Sequence, residues 1–334
     1  MRKLSIALIG YGYWGKTLFK ALQKTQLIEV VAVCDKHKKI VNGLKSPNGS
    51  IRFVSNDYRR VVSRKDVGAV IIATPPETHY QIAKASLMSG KHVLMEKPMT
   101  TRNGHALELS RLADRKKLTL MVDHTYLYAP EIRVAKQIID KGILGQVRFI
   151  ETTRVGPGQY KNYGDVIWDF APHDVSILYY LMGRPTKSLA VKSFVLNKGR
   201  VDSSDLHFKF AKGCEANIRL SWVSPIKDRK IVIVGTEKTL LINQDRIKAK
   251  VFLYPSKNFF RNGHRANTSV HSLKNLRLQS GLPYSEPLKN VFYEFAQCIF
   301  KNTQPLSDGY LGSNVVNIIG EIIQVKSSWG KHEQ

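Results

Sequence analysis

The chain has 334 residues, 43% of them hydrophobic, and 52 basic against 26 acidic side chains give a net charge of +26. That length suits two domains with sizeable cores, and the composition excludes a disordered chain. The basic residues are spread along the sequence, with no block of six and no nucleic-acid motif, so the charge reads as a lysine-rich solvated surface and not as a nucleic-acid partner.

The first elements carry the strongest signal. An apolar strand-like run, Leu4 to Ile9, meets Gly10-Tyr11-Gly12-Tyr13-Trp14-Gly15, then a helix-like segment and a second apolar run, Ile28 to Cys34, ending on Asp35. This is G-x-G-x-x-G between a strand and a helix, with an acid 20 residues beyond Gly15. Each part has a physical task. Gly10 permits a tight turn, Gly12 lets backbone approach a pyrophosphate, and Gly15 lets the helix pack close to the strand. The helix N-terminus offers N–H groups and partial positive charge to phosphates. Asp35 is placed to accept hydrogen bonds from ribose hydroxyls. Its charge would repel a 2′-phosphate, favouring NAD, while Lys36, Lys38 and Lys39 keep NADP possible. Arg2-Lys3 before Leu4 resembles the start of a signal peptide, but the glycines arrive too soon for one. Cys34, Cys214 and Cys298 are scattered and odd in number, which predicts reduced thiols, no metal site and a cytoplasmic setting.

Strand candidates follow at 51–54, 67–73, 92–96 and 118–123, with helical stretches at 79–89 and 101–116. Nearly all-apolar strands alternating with helices predict a parallel sheet buried on both faces. Ligands then bind beyond the strands' carboxyl ends. Two segments sit there, Thr74-Pro75-Pro76-Glu77-Thr78-His79 and Glu96-Lys97-Pro98. Thr74, Pro75, Pro76, His79, Glu96 and Lys97 therefore join Gly10, Gly12, Tyr13, Trp14, Gly15 and Asp35 as candidate cofactor-binding residues.

The pattern changes after residue 124. A helix over 130–141, a strand over 146–155 and a helix over 171–182 precede β-like stretches at 186–196, 202–211, 213–222, 229–235 and 239–243. Two helices, 286–301 and 310–328, close the chain. This predicts an α/β protein: a doubly wound parallel Rossmann sheet in a domain over 1–124, then an α+β domain over 125–334 with an open, mostly antiparallel sheet. A polar stretch with Arg261, His264, Arg265, Lys274 and Arg277 reads as a basic loop suited to an anionic substrate. No run approaches the roughly 20 apolar residues of a membrane span.

Chemistry has candidates in both halves. Lys97 is an amine at a strand end, restricted to extended backbone by Pro98. Asp169 and His173, four apart, project from one helix face if the helix begins near Asp169. Oxidising an alcohol with a nicotinamide requires a group to take the hydroxyl proton, which a His or Lys can do.

These motifs resemble the Gfo/Idh/MocA oxidoreductase family end to end. The resemblance rests on Gly10 to Gly15, Ala73-Thr74-Pro75-Pro76-Glu77-Thr78-His79, Glu96-Lys97-Pro98, Trp168-Asp169-Phe170-Ala171-Pro172-His173-Asp174, and the region from Glu286-Pro287-Leu288 to Pro305-Leu306-Ser307-Asp308-Gly309. It implies NAD(P)-dependent oxidation or reduction of a sugar, cyclitol or nucleotide-sugar, and a second domain whose open sheet forms homodimers or homotetramers. The family's catalytic lysine falls on Lys97, its substrate-binding aspartate on Asp169 and its catalytic histidine on His173. The Trp-Asp-Phe-Ala-Pro-His-Asp form resembles members placed in cell-surface polysaccharide synthesis, which points to nucleotide-sugars. An inositol dehydrogenase and a non-catalytic NAD(P)-binding regulator are the alternatives; the presence of all three residues counts against the second.

Overall fold

The computed structural model describes residues 3–42, 44, 49–158, 164–196, 199–245, 250–256, 271–274 and 276–329. In chain order the elements of the first part are β1 (Leu4–Ile9), α1 (Tyr13–Leu22), β2 (Ile28–Cys34), α2 (Lys38–Val41), β3 (Phe53–Ser55), α3 (Tyr58–Val62), β4 (Ala69–Ile72), α4 (Pro76–Met88), β5 (His92–Glu96), α5 (Asn103–Lys116) and β6 (Leu120–Asp123). They continue with α6 (Pro130–Asp140), β7 (Val147–Pro157), α7 (Val166–Met182), β8 (Lys187–Phe194), β9 (Ser203–Lys209), β10 (Glu215–Ser221), β11 (Val223–Gly235), β12 (Lys238–Asn243), β13 (Val251–Pro255), β14 (His271–Ser272), α8 (Leu276–Ser280), α9 (Pro287–Lys301) and α10 (Gly309–Trp329).

The chain forms two compact units, one of Met1–Thr125 with Glu286–Asn317, the other of Tyr126–Ser285 with Ile318–Gln334. Glu286–Asn317, which the sequence reading places in a domain over 125–334, clusters with the first unit. The returning segment is held to the first unit by local bonds. Val122 N–H donates to the Ser307 carbonyl at 2.8 Å, and Ser307 Oγ donates back to the Val122 carbonyl at 2.7 Å. Gly312 makes this approach possible, since a Cβ there would lie 2.6 Å from Val122 Cγ2. The segment thus covers the β6 edge, which would otherwise offer unpaired backbone.

The first unit holds a six-stranded sheet in the order β3-β2-β1-β4-β5-β6, with every pairing parallel. All four residues of β4 are buried, as a strand covered on both faces requires. The strand order reverses between β1 and β4, and ligands bind such folds at that switch point.

The second unit holds an eight-stranded sheet in the order β14-β13-β12-β11-β7-β10-β9-β8. Its pairings are antiparallel except β7 with β10. β7 alternates from Ile150 on: Ile150, Thr152 and Arg154 are buried, while Glu151 on the same strand is exposed. α7 packs against β9 and β10. The opposite face bears exposed Phe194, Leu196 and Val223 around a cavity of about 520 Å³ that Thr153, Val155 and Arg219 also line.

Two expectations shift. α7 begins at Val166, five residues before the expected 171, because Asp165 caps it and Pro172 lies inside the helix; a proline reads in sequence as a helix start. β11 begins at Val223, six residues before 229, and runs past Pro225 with a register shift between Val223 and Asp228; proline argues against a strand except at such irregularities. Of the basic stretch, Lys274 and Arg277 are exposed; Arg261, His264 and Arg265 lie outside the described residues.

Candidate active site

In the first unit, the turn after β1 is built by contact with the end of β4. Gly10 has φ +95°, and a Cβ there would lie 2.6 Å from the Ala73 carbonyl. A Cβ on Gly15 would lie 2.1 Å from the Gly10 oxygen, so helix and turn meet backbone to backbone. Gly12 differs: among the described residues a Cβ there meets nothing within 4 Å. It is the N-cap of α1, with no side-chain cap among the described residues and no acid in the first turn. An uncapped helix start behind an open glycine fits a pyrophosphate. Tyr13 and Trp14 beside it are exposed.

Asp35 directly follows β2 and is 8% exposed. Tyr11 N–H donates to its Oδ2 at 2.8 Å and His37 N–H to its Oδ1 at 3.0 Å. The acid therefore clasps the glycine loop, a task the sequence does not disclose. Lys36 and Lys39 next to it are exposed.

Thr74, Pro75 and Pro76 lead into α4. Thr78 Oγ1 donates to the Pro75 carbonyl at 2.7 Å, holding this entry. His79, expected among the cofactor-binding residues, occupies another role. It is fully buried, with Nδ1 3.0 Å from the Pro98 carbonyl and Nε2 2.9 Å from the Thr74 carbonyl. It ties the loop after β4 to the loop after β5 and presents no surface to a ligand. Burial pushes its pKa down despite these carbonyls.

Glu96 ends β5 and accepts from the Trp14 indole N–H, joining the glycine loop to the start of Glu96-Lys97-Pro98. It also accepts from the Lys97 backbone N–H at 3.3 Å. The Lys97–Pro98 peptide is cis. Glu96 pairs in register with Asp123 of β6. Thr125 Oγ1 donates to Asp123 Oδ1 at 2.5 Å. Burial and the Asp123 carboxyl hold Glu96 well above the usual carboxylate range. His124 is 1% exposed, and among the described residues neither ring nitrogen has a hydrogen-bond partner. Burial, helped by the charge of Lys97, pushes it down to about 3.

In the second unit, Asp165 caps α7, accepting from the N–H groups of Ile167 at 3.0 Å and Trp168 at 3.1 Å. Asp169 and His173 follow one turn apart on the helix and share a face. The Tyr126 ring meets His173 edge to face at 4.9 Å. Arg154 lies 4.3 Å from the centre of the same Tyr126 ring. Below it, Arg154 Nε donates to Asp174 Oδ2 at 2.5 Å, with both side chains buried. Burial opposes the Arg154 charge, but Asp174 and Tyr126 outweigh it and keep the guanidinium protonated. Sequence reasoning missed Tyr126, Arg154, Asp123 and His124. Arg154 left a signal, a charge on the buried face of an alternating strand, which demands a partner.

Two family models match: the oxidoreductase family with NAD-binding Rossmann fold over residues 4–124, and the GFO/IDH/MocA C-terminal domain over residues 132–241. An uncharacterised oxidoreductase of Synechocystis is 29% identical over 60% of this chain, and the match spans 57% of that relative's length. UDP-N-acetylglucosamine 3-dehydrogenase of Acidithiobacillus ferrooxidans is 23% identical over 95% of both chains. Levoglucosan dehydrogenase in complex with NADH superposes with a TM-score of 0.85 over 98% of both chains at 18% identity.

Proposed function

Because this chain belongs to the Gfo/Idh/MocA family of NAD-binding oxidoreductases, we propose that it transfers a hydride between nicotinamide and a hydroxyl or ketone carbon of a sugar or nucleotide-sugar. The observation that carries this reading is the open Gly12 at the uncapped start of α1, with Asp35 beside it. NAD, when bound, supplies the hydride acceptor or donor. Gly10, Gly12 and Gly15 shape its pyrophosphate seat, and Tyr13, Trp14, Thr74, Pro75, Pro76 and Glu96 border it. Asp35 favours NAD over NADP by its charge. An imidazole nitrogen of His173 takes or returns the hydroxyl proton. Lys97 Nζ hydrogen-bonds the reacting oxygen, and the Asp169 carboxylate accepts from a neighbouring hydroxyl. Likeness to the UDP-N-acetylglucosamine enzyme along nearly the whole chain supports a nucleotide-sugar. The exposed apolar residues of the open sheet face support a homodimer or homotetramer, and the scattered cysteines support a cytoplasmic setting.

The test is a fluorescence titration with NADH, then a turnover screen of UDP- and dTDP-sugars, free sugars and inositols with NAD and NADP. His173→Ala should lower kcat by roughly 10²–10⁴, the worth of a positioned acid/base group. Lys97→Ala should lower it comparably, and Asp169→Ala should act mainly on KM. NADH affinity should change little in all three. Normal turnover in both His173→Ala and Lys97→Ala would overturn the assignment. Turnover confined to inositols would move the substrate class to cyclitols, and NADH binding without turnover would leave a regulator.

A further inference from the structure

Two arginines stand opposite one another inside the second unit. Arg154 of β7 pairs in register with Arg229 of β11, and like charges set across a ladder repel. Asp174 answers the first, accepting from Arg154 Nε at 2.5 Å and from Nη2 at 3.3 Å. What both arginines share is Tyr126. Arg154 lies 4.3 Å from the centre of its ring, and Arg229 Nη1 donates to its hydroxyl at 2.9 Å. That ring meets His173 edge to face, with centres 4.9 Å apart. We propose that Tyr126 is a positioning residue for His173: the two arginines fix its ring, and the ring sets the direction of the imidazole.

The contacts close a circuit around His173. Arg154 holds Asp174, the next residue along α7, and the same guanidinium lies against the ring on which His173 packs. The backbone mount of the imidazole and its aromatic partner are thus tied to one side chain of β7, itself 2% exposed. Burying a charge is costly unless it is paired, and simple packing of a tyrosine would ask only for apolar neighbours. A histidine on a helix otherwise chooses among staggered rotamers, and a reacting group misplaced by about 1 Å can lose on the order of a hundredfold in rate. Aromatic contacts favour particular geometries, and the Arg229 bond stops the Tyr126 ring from sliding along its neighbour. The catalytic meaning rests on the proposed role of His173 in proton transfer; the geometry rests on contacts inside the second unit alone.

The full chain, carbon-13 labelled in its histidine and tyrosine rings, tests this by NMR and by turnover. The His173 ring protons, identified by their loss in His173→Asn, should cross-relax with a tyrosine ring in the unmutated chain and carry its ring-current shift. Tyr126→Leu should abolish the shift and Tyr126→Phe should keep it. In turnover, Tyr126→Leu should lower kcat roughly ten- to hundredfold, with KM and NADH affinity little changed, and Tyr126→Phe should recover most of that loss. Adding Tyr126→Leu to His173→Ala should cost almost nothing further, because both act through one group. Absence of cross-relaxation in the unmutated chain would overturn the proposal however the variants fold. So would a His173 signal indifferent to a folded Tyr126→Leu, or a rate loss from Tyr126→Leu that is undiminished in His173→Ala. Normal turnover in His173→Ala with the shift intact sinks only the proposed proton transfer. Lost turnover in His173→Ala with full rate in Tyr126→Leu sinks only the role of Tyr126.

Discussion

Gly12 and Gly15 are the same residue type three positions apart, yet the structure gives them opposite duties. Gly15 has no room for a methyl group, because the Gly10 oxygen stands 2.1 Å from where Cβ would be. Gly15→Ala should cost about 1–3 kcal/mol of stability, the range for overpacking. Gly12 has open space in front of it, so Gly12→Ala should fold with stability within about 0.5 kcal/mol of wild type. It should nonetheless weaken NADH binding roughly tenfold or more, since the methyl occupies the pyrophosphate approach. Urea unfolding and NADH titration on both variants check this; equal effects of both on both measurements would refute it. Asp35 mixes two duties in one side chain, the clasp on Tyr11 N–H and the charge toward a ribose. Asp35→Asn keeps one acceptor, for Tyr11 N–H, gives up the one that His37 N–H uses, and removes the charge. It should narrow the NADH-over-NADPH preference with a smaller loss of stability than Asp35→Ala, which loses both acceptors. Paired dissociation constants and melting curves separate the two. The glycine spacing was legible because it obeys local constraints. The clasp was not, because Tyr11 and Asp35 meet only when β1 and β2 are side by side.

α7 brings Asp169 and His173 onto one face, and its start depends on one side chain. Asp165 accepts two backbone N–H groups there, so Asp165→Ala should cost about 1 kcal/mol. Asp169 lies in the first turn and should lose its fixed position, raising KM more than it lowers kcat. A lowered melting temperature with unchanged KM would show that the turn holds without its cap. The helix itself was foreseeable from the apolar run after Pro172, but its first turn was not, since Asp165 gains its meaning only from the N–H groups above it. The parallel sheet was legible for a similar reason: β1, β2, β4 and β5 are short, nearly all-apolar and bounded by turn residues. β14 and α8 carry no such signal and were missed, and β13 was missed although its Val251-Phe252-Leu253-Tyr254 run is apolar. The return of Glu286–Asn317 to the first unit was equally hidden. The amphipathic pattern of α9 states that one face is buried, and not against which unit. Only Gly309 and Gly312, small residues where α10 meets Leu120 and Val122, mark the contact, and they read in sequence as ordinary turn residues.

Over the whole molecule, acid should be the destabilising direction. The net charge of +26 counts histidines as neutral, and protonation adds to a self-repulsion already strongly positive. Three histidines sharpen this. Burial pushes down the pKa of His79, His92 and His124, the last to about 3. In the unfolded chain each titrates near 6.5. Below that pH the unfolded state binds protons that the native state refuses, so stability falls as pH drops, by about 1.4 kcal/mol per pH unit for each such group until its folded pKa is reached. Glu96 works the other way. Its folded pKa is raised, so its contribution weakens as pH climbs from about 4.3 toward that value. The raised carboxyls of Asp123 and Asp308 act in the same direction as Glu96, while below about 6.5 the histidines and the net charge both make acid destabilising. His124 provides the cleanest dissection, because among the described residues its ring nitrogens have no hydrogen bonds to lose. His124→Leu should leave stability at pH 7 equal or higher and flatten the acid limb by about 1 kcal/mol per pH unit. Denaturant unfolding at pH 7, 6, 5 and 4 on wild type and variant measures both. An acid limb of unchanged steepness in His124→Leu would show that this histidine takes its proton in the folded chain and that burial does not keep it neutral.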